Sequence, residues 1–112
     1  SSLNDKTESF FNLDRLIKLR KNSIIVNIAR GELVDEKAIV KLIKNNHILK
    51  YSTDVLSNES EILNKKNSLI ELSRTNKNII ISPHIAGLTY QSEKKAAEYV
   101  LKKMKNTIIK YL

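Results

Sequence analysis

Three residues with usable chemistry, Arg30, Glu59 and His84, each sit inside a short motif of this chain. Arg30 lies in Asn27-Ile28-Ala29-Arg30-Gly31-Glu32-Leu33-Val34-Asp35-Glu36, Glu59 follows Thr53-Asp54-Val55, and His84 lies in Ser82-Pro83-His84-Ile85-Ala86-Gly87. Each motif follows an apolar run of buried-strand character, which puts each at the carboxyl end of a strand. Ligands of open α/β sheets sit at that end. A permanent cation, a carboxylate and an imidazole gathered there can bind a carboxylate substrate and move a proton at its neighbouring carbon. Singly, each residue has a plainer role. An arginine after a strand is usually a surface ion pair, and a glutamate in a polar loop is usually solvated. A histidine after a proline is usually structural, and an aspartate at a strand end, such as Asp54, usually caps a turn. The order of all three motifs is what points to a site.

The elements that must position them alternate between helical and strand-like segments. Asn12 is placed to cap a short helix carrying Leu13, Leu16, Ile17 and Leu19 at helical spacing. Ser23 to Ile28 is a β-branched run, and Gly31 follows where the chain must turn. Asp35 can cap a helix from Glu36 to about Asn45, with Ala38, Ile39, Leu42 and Ile43 on one face. His47 falls at that helix end. Tyr51 to Leu56 reads as a second strand, Ser68 to Arg74 as a weaker helix, and Asn78 to Ser82 as a third strand halted by Pro83. Thr89 or Ser92 can start a last helix with Ala97, Val100, Leu101, Met104 and Ile108 as its apolar stripe. This alternation predicts an α/β fold with three parallel strands in sequential order and right-handed crossovers. The first strand is expected to be an open edge.

The chain has 112 residues, room for one domain at most, and no cysteine, so it has no disulfide framework and no thiolate metal site. No metal is expected, and a reducing, cytoplasmic setting suits the composition. There is no signal-peptide pattern and no membrane-length apolar run. The net charge of +8 comes from lysines spread along the chain, densest at Lys102, Lys103, Lys105 and Lys110. A nucleic-acid interface would concentrate such charge in a stripe or add aromatic stacking residues. The basic residues are read as a solvated face, with neither nucleic acid nor membrane as a partner. The only glycines are Gly31 and Gly87, so no Gly-x-Gly-x-x-Gly turn is present. The opening Ser1-Ser2-Leu3-Asn4 reads as the end of something rather than a start, and the chain is read as part of a larger domain.

The three motifs together resemble the D-isomer-specific 2-hydroxyacid dehydrogenase family. Asn27 to Glu36 is similar to its Asn-x-Ala-Arg-Gly-x-x-Val-Asp-Glu signature, Asp54-Val55 with Glu59 to its Asp-Val-x-x-x-Glu element, and Pro83 to Gly87 to its Pro-His-x-x-Gly element. Ser1 to Thr7 resembles the family's Thr-Pro-Leu-x-x-x-Thr loop, so the resemblance covers essentially the whole chain. It implies the second half of a Rossmann-type doubly wound sheet: residues 1–112 as the C-terminal part of an NAD-binding domain, without its glycine-rich first half and most of the substrate domain. The implied reaction is reversible hydride transfer between NAD(H), or NADP(H), and a small 2-hydroxy or 2-oxo acid, in a full-length homodimer. The resemblance assigns Arg30 to the substrate carboxylate, His84 to proton transfer and Glu59 to orienting His84. Asp54 would reach the nicotinamide carboxamide, and Ser1, Ile28, Ala29, Arg30, His84, Ala86 and Gly87 would border the cofactor.

Ser60 and Lys50 depart from the family pattern, standing where it usually has proline and glycine. Two other functional classes fit parts of the sequence. A non-catalytic relative of the same fold could use the cofactor site to sense NAD(H) or bind a protein, and turnover would separate it from an enzyme. A basic nucleic-acid module would reveal itself by salt-dependent binding.

Overall fold

A computed structural model describes residues 3–61 and 66–111, with the side chains of residues 108–111 left out. Three parallel strands, β1 (Ser23–Asn27), β2 (Ile48–Thr53) and β3 (Ile79–Ile81), form one sheet in the order β1-β2-β3. Helices α1 (Leu13–Leu16), α2 (Glu36–Lys44), α3 (Ser68–Ser73) and α4 (Tyr90–Tyr111) accompany them. The sequential parallel order matches the sequence expectation, and β1 pairs with β2 alone among the described residues.

Local chemistry explains the boundaries. The Asn12 side chain accepts from the Arg15 N–H, Asp35 from Ala38 N–H, and Asn67 from both Leu69 and Ile70 N–H, so the starts of α1, α2 and α3 each have one or two orphan donors capped. After α2, Asn46 takes a left-handed conformation (φ 54°). The Asn46 N–H then donates to Ile43 O, and the His47 N–H to Leu42 O. That pair of bonds closes the helix in a Schellman motif with asparagine in the glycine position. The His47 ring nitrogen Nε2 lies 3.1 Å from Leu19 O and ties this corner to the one before β1.

Strand β2 begins at Ile48, three residues before the expected start, and stops at Thr53 rather than Leu56. The Schellman corner delivers the chain directly into the sheet, which accounts for the early start. At the other end the Thr53 hydroxyl donates to Val55 O, and the Val55 N–H donates back to it, so the chain bends there. Val55 and Leu56 remain buried, but as part of a loop.

With strands in sequential order, right-handed crossovers put α2 and α3 on the same face of the sheet. Ile25, Tyr51, Ile79 and Ile81 pack on that face against Ala38, Ile39, Leu42, Ile43 and Leu69. Leu16 from α1 closes the core beside α2. The opposite face is bare: Ile24, Val26 and Ile80 are 61%, 65% and 51% exposed. The β-branched run of the first strand is therefore buried on one side only. Helix α4 extends from the body, and its Val100, Leu101 and Met104 stripe is exposed, because no described element lies against it. The side chain of Ile108 is outside the described residues. No described helix is long and apolar enough to cross a membrane.

Candidate active site

The carboxyl ends of all three strands converge on one shallow cleft of about 460 Å³, lined by Ile28, Arg30, Asp54, His84, Ala86, Gly87 and Leu88. It is assembled by side chains that hold backbone. At the end of β1 the buried Asn27 donates from Nδ2 to Arg30 O (2.9 Å) and accepts from Ala29 N–H (3.1 Å). Its own carbonyl receives the Asp54 N–H (3.0 Å) and lies 3.2 Å from the Thr53 hydroxyl oxygen. The arginine loop is thereby fastened to the end of β2. Arg30 itself is exposed, donates only to the neighbouring Ala29 O (2.7 Å), and makes no ion pair among the described residues. Its guanidinium remains available for a planar anion.

Gly31 shows why this loop needs glycine. Its φ is not positive, but a Cβ there would overlap the backbone of Leu56 and Ser57. The two loops touch backbone to backbone, which only a residue without a side chain permits. The expectation of a turn at Gly31 is thus met for a reason of space.

Beyond β3, Pro83 turns the chain so that the His84 N–H donates to Ser82 O (3.0 Å), and His84 is left-handed with φ 53°. Histidine is among the few residue types that visit this region with any frequency, and such positions collect at functional sites. The conformation is held by Asp54. Its Oδ1 accepts from the Ser82 hydroxyl (2.5 Å) and Ile85 N–H (3.0 Å), and its Oδ2 accepts from Ala86 N–H (2.8 Å). The Ser82 hydroxyl and then the Ala86 N–H do most to hold the Asp54 carboxyl below the usual carboxylate range. Asp54 is 5% exposed, yet it lines a shallow open cleft, so hydrogen bonding dominates over desolvation.

Glu59 completes the arrangement from a 3₁₀ turn, Glu59–Glu61. Its Oε2 lies 2.7 Å from His84 Nδ1, and its Oε1 accepts from the Leu56 N–H at 2.8 Å. Burial acts to raise the Glu59 carboxyl. The hydrogen bonds from His84 and Leu56, with the charge of the imidazole, outweigh it and hold the group below its ordinary value. A carboxylate on Nδ1 orients the ring and leaves Nε2 as the atom for proton exchange.

Of the residues expected at the site, Ile28, Arg30, Asp54, His84, Ala86 and Gly87 share the cleft, and Glu59 joins through His84. Ala29 lies just behind, with its N–H and carbonyl both engaged. Ser1 lies outside the described residues. The N–H groups of Ile85 and Ala86 are taken by Asp54, so that border has fewer free donors than its motif suggests. Asn27, Ser82, Glu32 and Glu36 are in the quoted motifs, but their holding roles were missed. A polar residue closing an apolar run was the signal for Asn27 and Ser82. A larger cleft of about 660 Å³ opens elsewhere between Glu8, Glu32, Asp35, Glu36, Asn58 and Asn67. Glu32, Asp35 and Glu36 there are already engaged with backbone N–H groups, so the smaller cleft is the candidate active site. Among the described residues no cluster suits a metal ion.

Residues 1–86 match the family described as D-isomer specific 2-hydroxyacid dehydrogenase, NAD binding domain. A glyoxylate reductase of Thermococcus kodakarensis is 34% identical over 91% of this chain, and a D-3-phosphoglycerate dehydrogenase of Methanocaldococcus jannaschii is 33% identical over 95%. The match spans 28% and 19% of those two proteins' own lengths. Among solved structures, a D-isomer specific 2-hydroxyacid dehydrogenase from Lactobacillus delbrueckii ssp. bulgaricus in NAD-complexed form superposes with a TM-score of 0.77. That superposition covers 98% of this chain and 35% of that one at 26% identity. The chain belongs to the D-isomer specific 2-hydroxyacid dehydrogenase family, within its NAD-binding domain.

Proposed function

We propose that this chain carries the proton-transfer and substrate-carboxylate groups of an NAD(H)-dependent oxidoreductase acting on a small 2-hydroxy or 2-oxo acid. The observation that carries this reading is the 2.7 Å Glu59–His84 contact beside a cleft shared with Arg30, which makes no ion pair among the described residues. The guanidinium holds the substrate carboxylate as a two-pronged fork and draws charge from the adjacent oxo group. In reduction, His84 donates the Nε2 proton to the substrate oxygen as negative charge grows there; in oxidation it takes that proton back. Glu59 keeps the ring oriented, and its negative charge favours the protonated imidazole that reduction needs.

The cleft suits the nicotinamide end of the cofactor. Ile28 and Leu88 give it apolar walls, and at Gly87 a Cβ would meet nothing within 4 Å. When bound, the nicotinamide supplies or accepts the hydride at the substrate carbon. Asp54 uses three of its acceptor positions on the His84 loop, which leaves room on Oδ2 for the carboxamide N–H₂. The choice between NAD and NADP rests outside this cleft.

The remainder of the reading concerns the longer protein. The open edge of β1 and the bare face at Ile24, Val26 and Ile80 support a continuation of the sheet by the glycine-rich half of the domain. We infer that the working enzyme is that full-length protein, with this piece inactive alone and the pair of subunits as the assembly. The test is His84→Ala in the full-length protein, assayed for NADH oxidation with a panel of 2-oxo acids. Turnover should fall by about 10²–10⁴-fold. Near-parent turnover of the variant would refute the proton-transfer role of His84, and no turnover by the parent on any of the acids would move the protein to the NAD(H)-sensing class.

A further inference from the structure

Three consecutive backbone N–H groups follow Val55, and each donates to a carboxylate from a different place. Leu56 N–H donates to Glu59 Oε1 at 2.8 Å, Ser57 N–H to Glu36 Oε1 at 2.8 Å, and Asn58 N–H to Glu32 Oε1 at 3.2 Å. The second oxygen of Glu36 accepts from Asn67 Nδ2 at 2.8 Å, and Asn67 Oδ1 caps α3. Glu36 is the first residue of α2, directly after the arginine loop. One side chain therefore links the end of the arginine segment, the loop that carries Glu59, and the start of α3.

Loops between elements are ordinarily the least restrained parts of a fold. Here the loop ends in a carboxylate that must meet an imidazole arriving from β3, and Asn58 within it is left-handed at φ 53°. Within the loop only the Leu56 N–H holds the Glu59 side chain, and the acceptors brought by Glu32 and Glu36 fasten the loop itself to the start of α2.

We propose that Glu36, assisted by Glu32, is a positioning residue that holds the Glu59 carboxylate against His84 and couples that pair to the arginine loop. This rests on the proton-transfer reading given above. A purely structural Glu36, acting as a favourable charge at the α2 N-terminus, would affect stability alone. A positioning Glu36 must also act through Glu59. The titratable groups around the imidazole are Glu59 from the loop, Asp54 from the end of β2 and Arg30 from the end of β1, and of these Glu59 is the one carried by the loop whose Ser57 N–H Glu36 accepts.

The experiment is the pH profile of kcat/KM for 2-oxo acid reduction by the full-length enzyme, in a double-mutant cycle. Glu36→Ala should lower kcat about 10-fold with a smaller change in KM. It should also move the alkaline fall of the profile to lower pH by about half a unit or more, the change expected from a weakened carboxylate–imidazole contact. Glu59→Gln should move it the same way. Adding Glu36→Ala to Glu59→Gln should produce no further movement. Glu36→Gln keeps one acceptor oxygen, so it should give a smaller displacement; if Glu36→Ala does not fold, this variant decides. An alkaline limb at the parent position in the Glu36 variants, with Glu59→Gln displaced, would overturn the positioning role alone. Full additivity in the double variant would overturn it as well. If Glu59→Gln itself left the limb unmoved, the proton-transfer reading would fail and this inference with it.

Discussion

Replacing Gly31 by alanine tests whether the two loops of the site are truly in backbone contact. The residue is buried and its φ is not positive, so alanine can adopt its conformation without backbone strain. If there were space, the substitution would stabilise the fold by about 0.4–1 kcal/mol, through loss of freedom in the unfolded chain. There is no space: the added methyl would overlap the Leu56 carbonyl and the Ser57 nitrogen, which are backbone atoms that cannot rotate away. Relief requires the loops to part by more than about 1 Å. Overpacking of this kind costs roughly 1–3 kcal/mol. A displacement of about 1 Å between Arg30 and the Glu59 loop can cost about 10²-fold in turnover. Gly87→Ala is the internal control, because a Cβ there meets nothing and φ is again not positive. It should be neutral or stabilising by about 0.4–1 kcal/mol, while raising KM for NADH if the nicotinamide lies against it. Urea denaturation and steady-state kinetics on the full-length protein measure both. Gly31→Ala matching Gly87→Ala in stability, with parent turnover, would refute the loop contact.

Three further outcomes follow from the geometry. Arg30→Lys should raise KM for the 2-oxo acid more than it lowers kcat, since an ammonium cannot reproduce the fork; equal losses in kcat and kcat/KM would count against a carboxylate-holding role. Leu69→Ala should destabilise by about 2–5 kcal/mol in urea denaturation, because the side chain is 0% exposed between α3 and the sheet. Asp54 and Glu59 both titrate below the ordinary carboxylate range, so each contributes stability above that range and loses it as pH falls through the lowered value. The urea midpoint should therefore decline below about pH 4, and Asp54→Asn should flatten that decline.

The order of strands and the gathering of Arg30, Asp54 and His84 at one cleft were legible because the segments that carry them show local patterns. Apolar β-branched runs mark Ser23–Asn27 and Ile79–Ile81, and the caps Asn12 and Asp35 stand where the side chains can reach the first free N–H groups. What escaped depends on contacts between distant segments. The start of β2 at Ile48 is set by the asparagine corner after α2, which composition alone does not distinguish from a looser turn. The α4 stripe of Val100, Leu101 and Met104 is a true amphipathic pattern, but periodicity reports that a face is apolar and not what covers it. Asp54 was expected to face the cofactor. Its engagement with Ser82, Ile85 and Ala86 joins residues 28 to 32 positions apart, a relation that no local window contains.

The site divides work between two carboxylates through the donors each receives. Asp54 takes a hydroxyl and two backbone N–H groups, so its charge is stabilised mainly by hydrogen bonds from the loop it anchors. Moving a proton at the neighbouring imidazole changes only the last of its influences. Glu59 receives one backbone N–H and the imidazole itself, in a position where burial opposes its charge. The imidazole contact therefore supplies much of what holds Glu59 ionised against burial. Environment alone sorts the two acids, one held by the donors of the loop it anchors and one held in part by the imidazole it meets. The left-handed backbone at His84 connects these tasks: Asp54 holds the strained turn, and the turn presents the ring to Glu59.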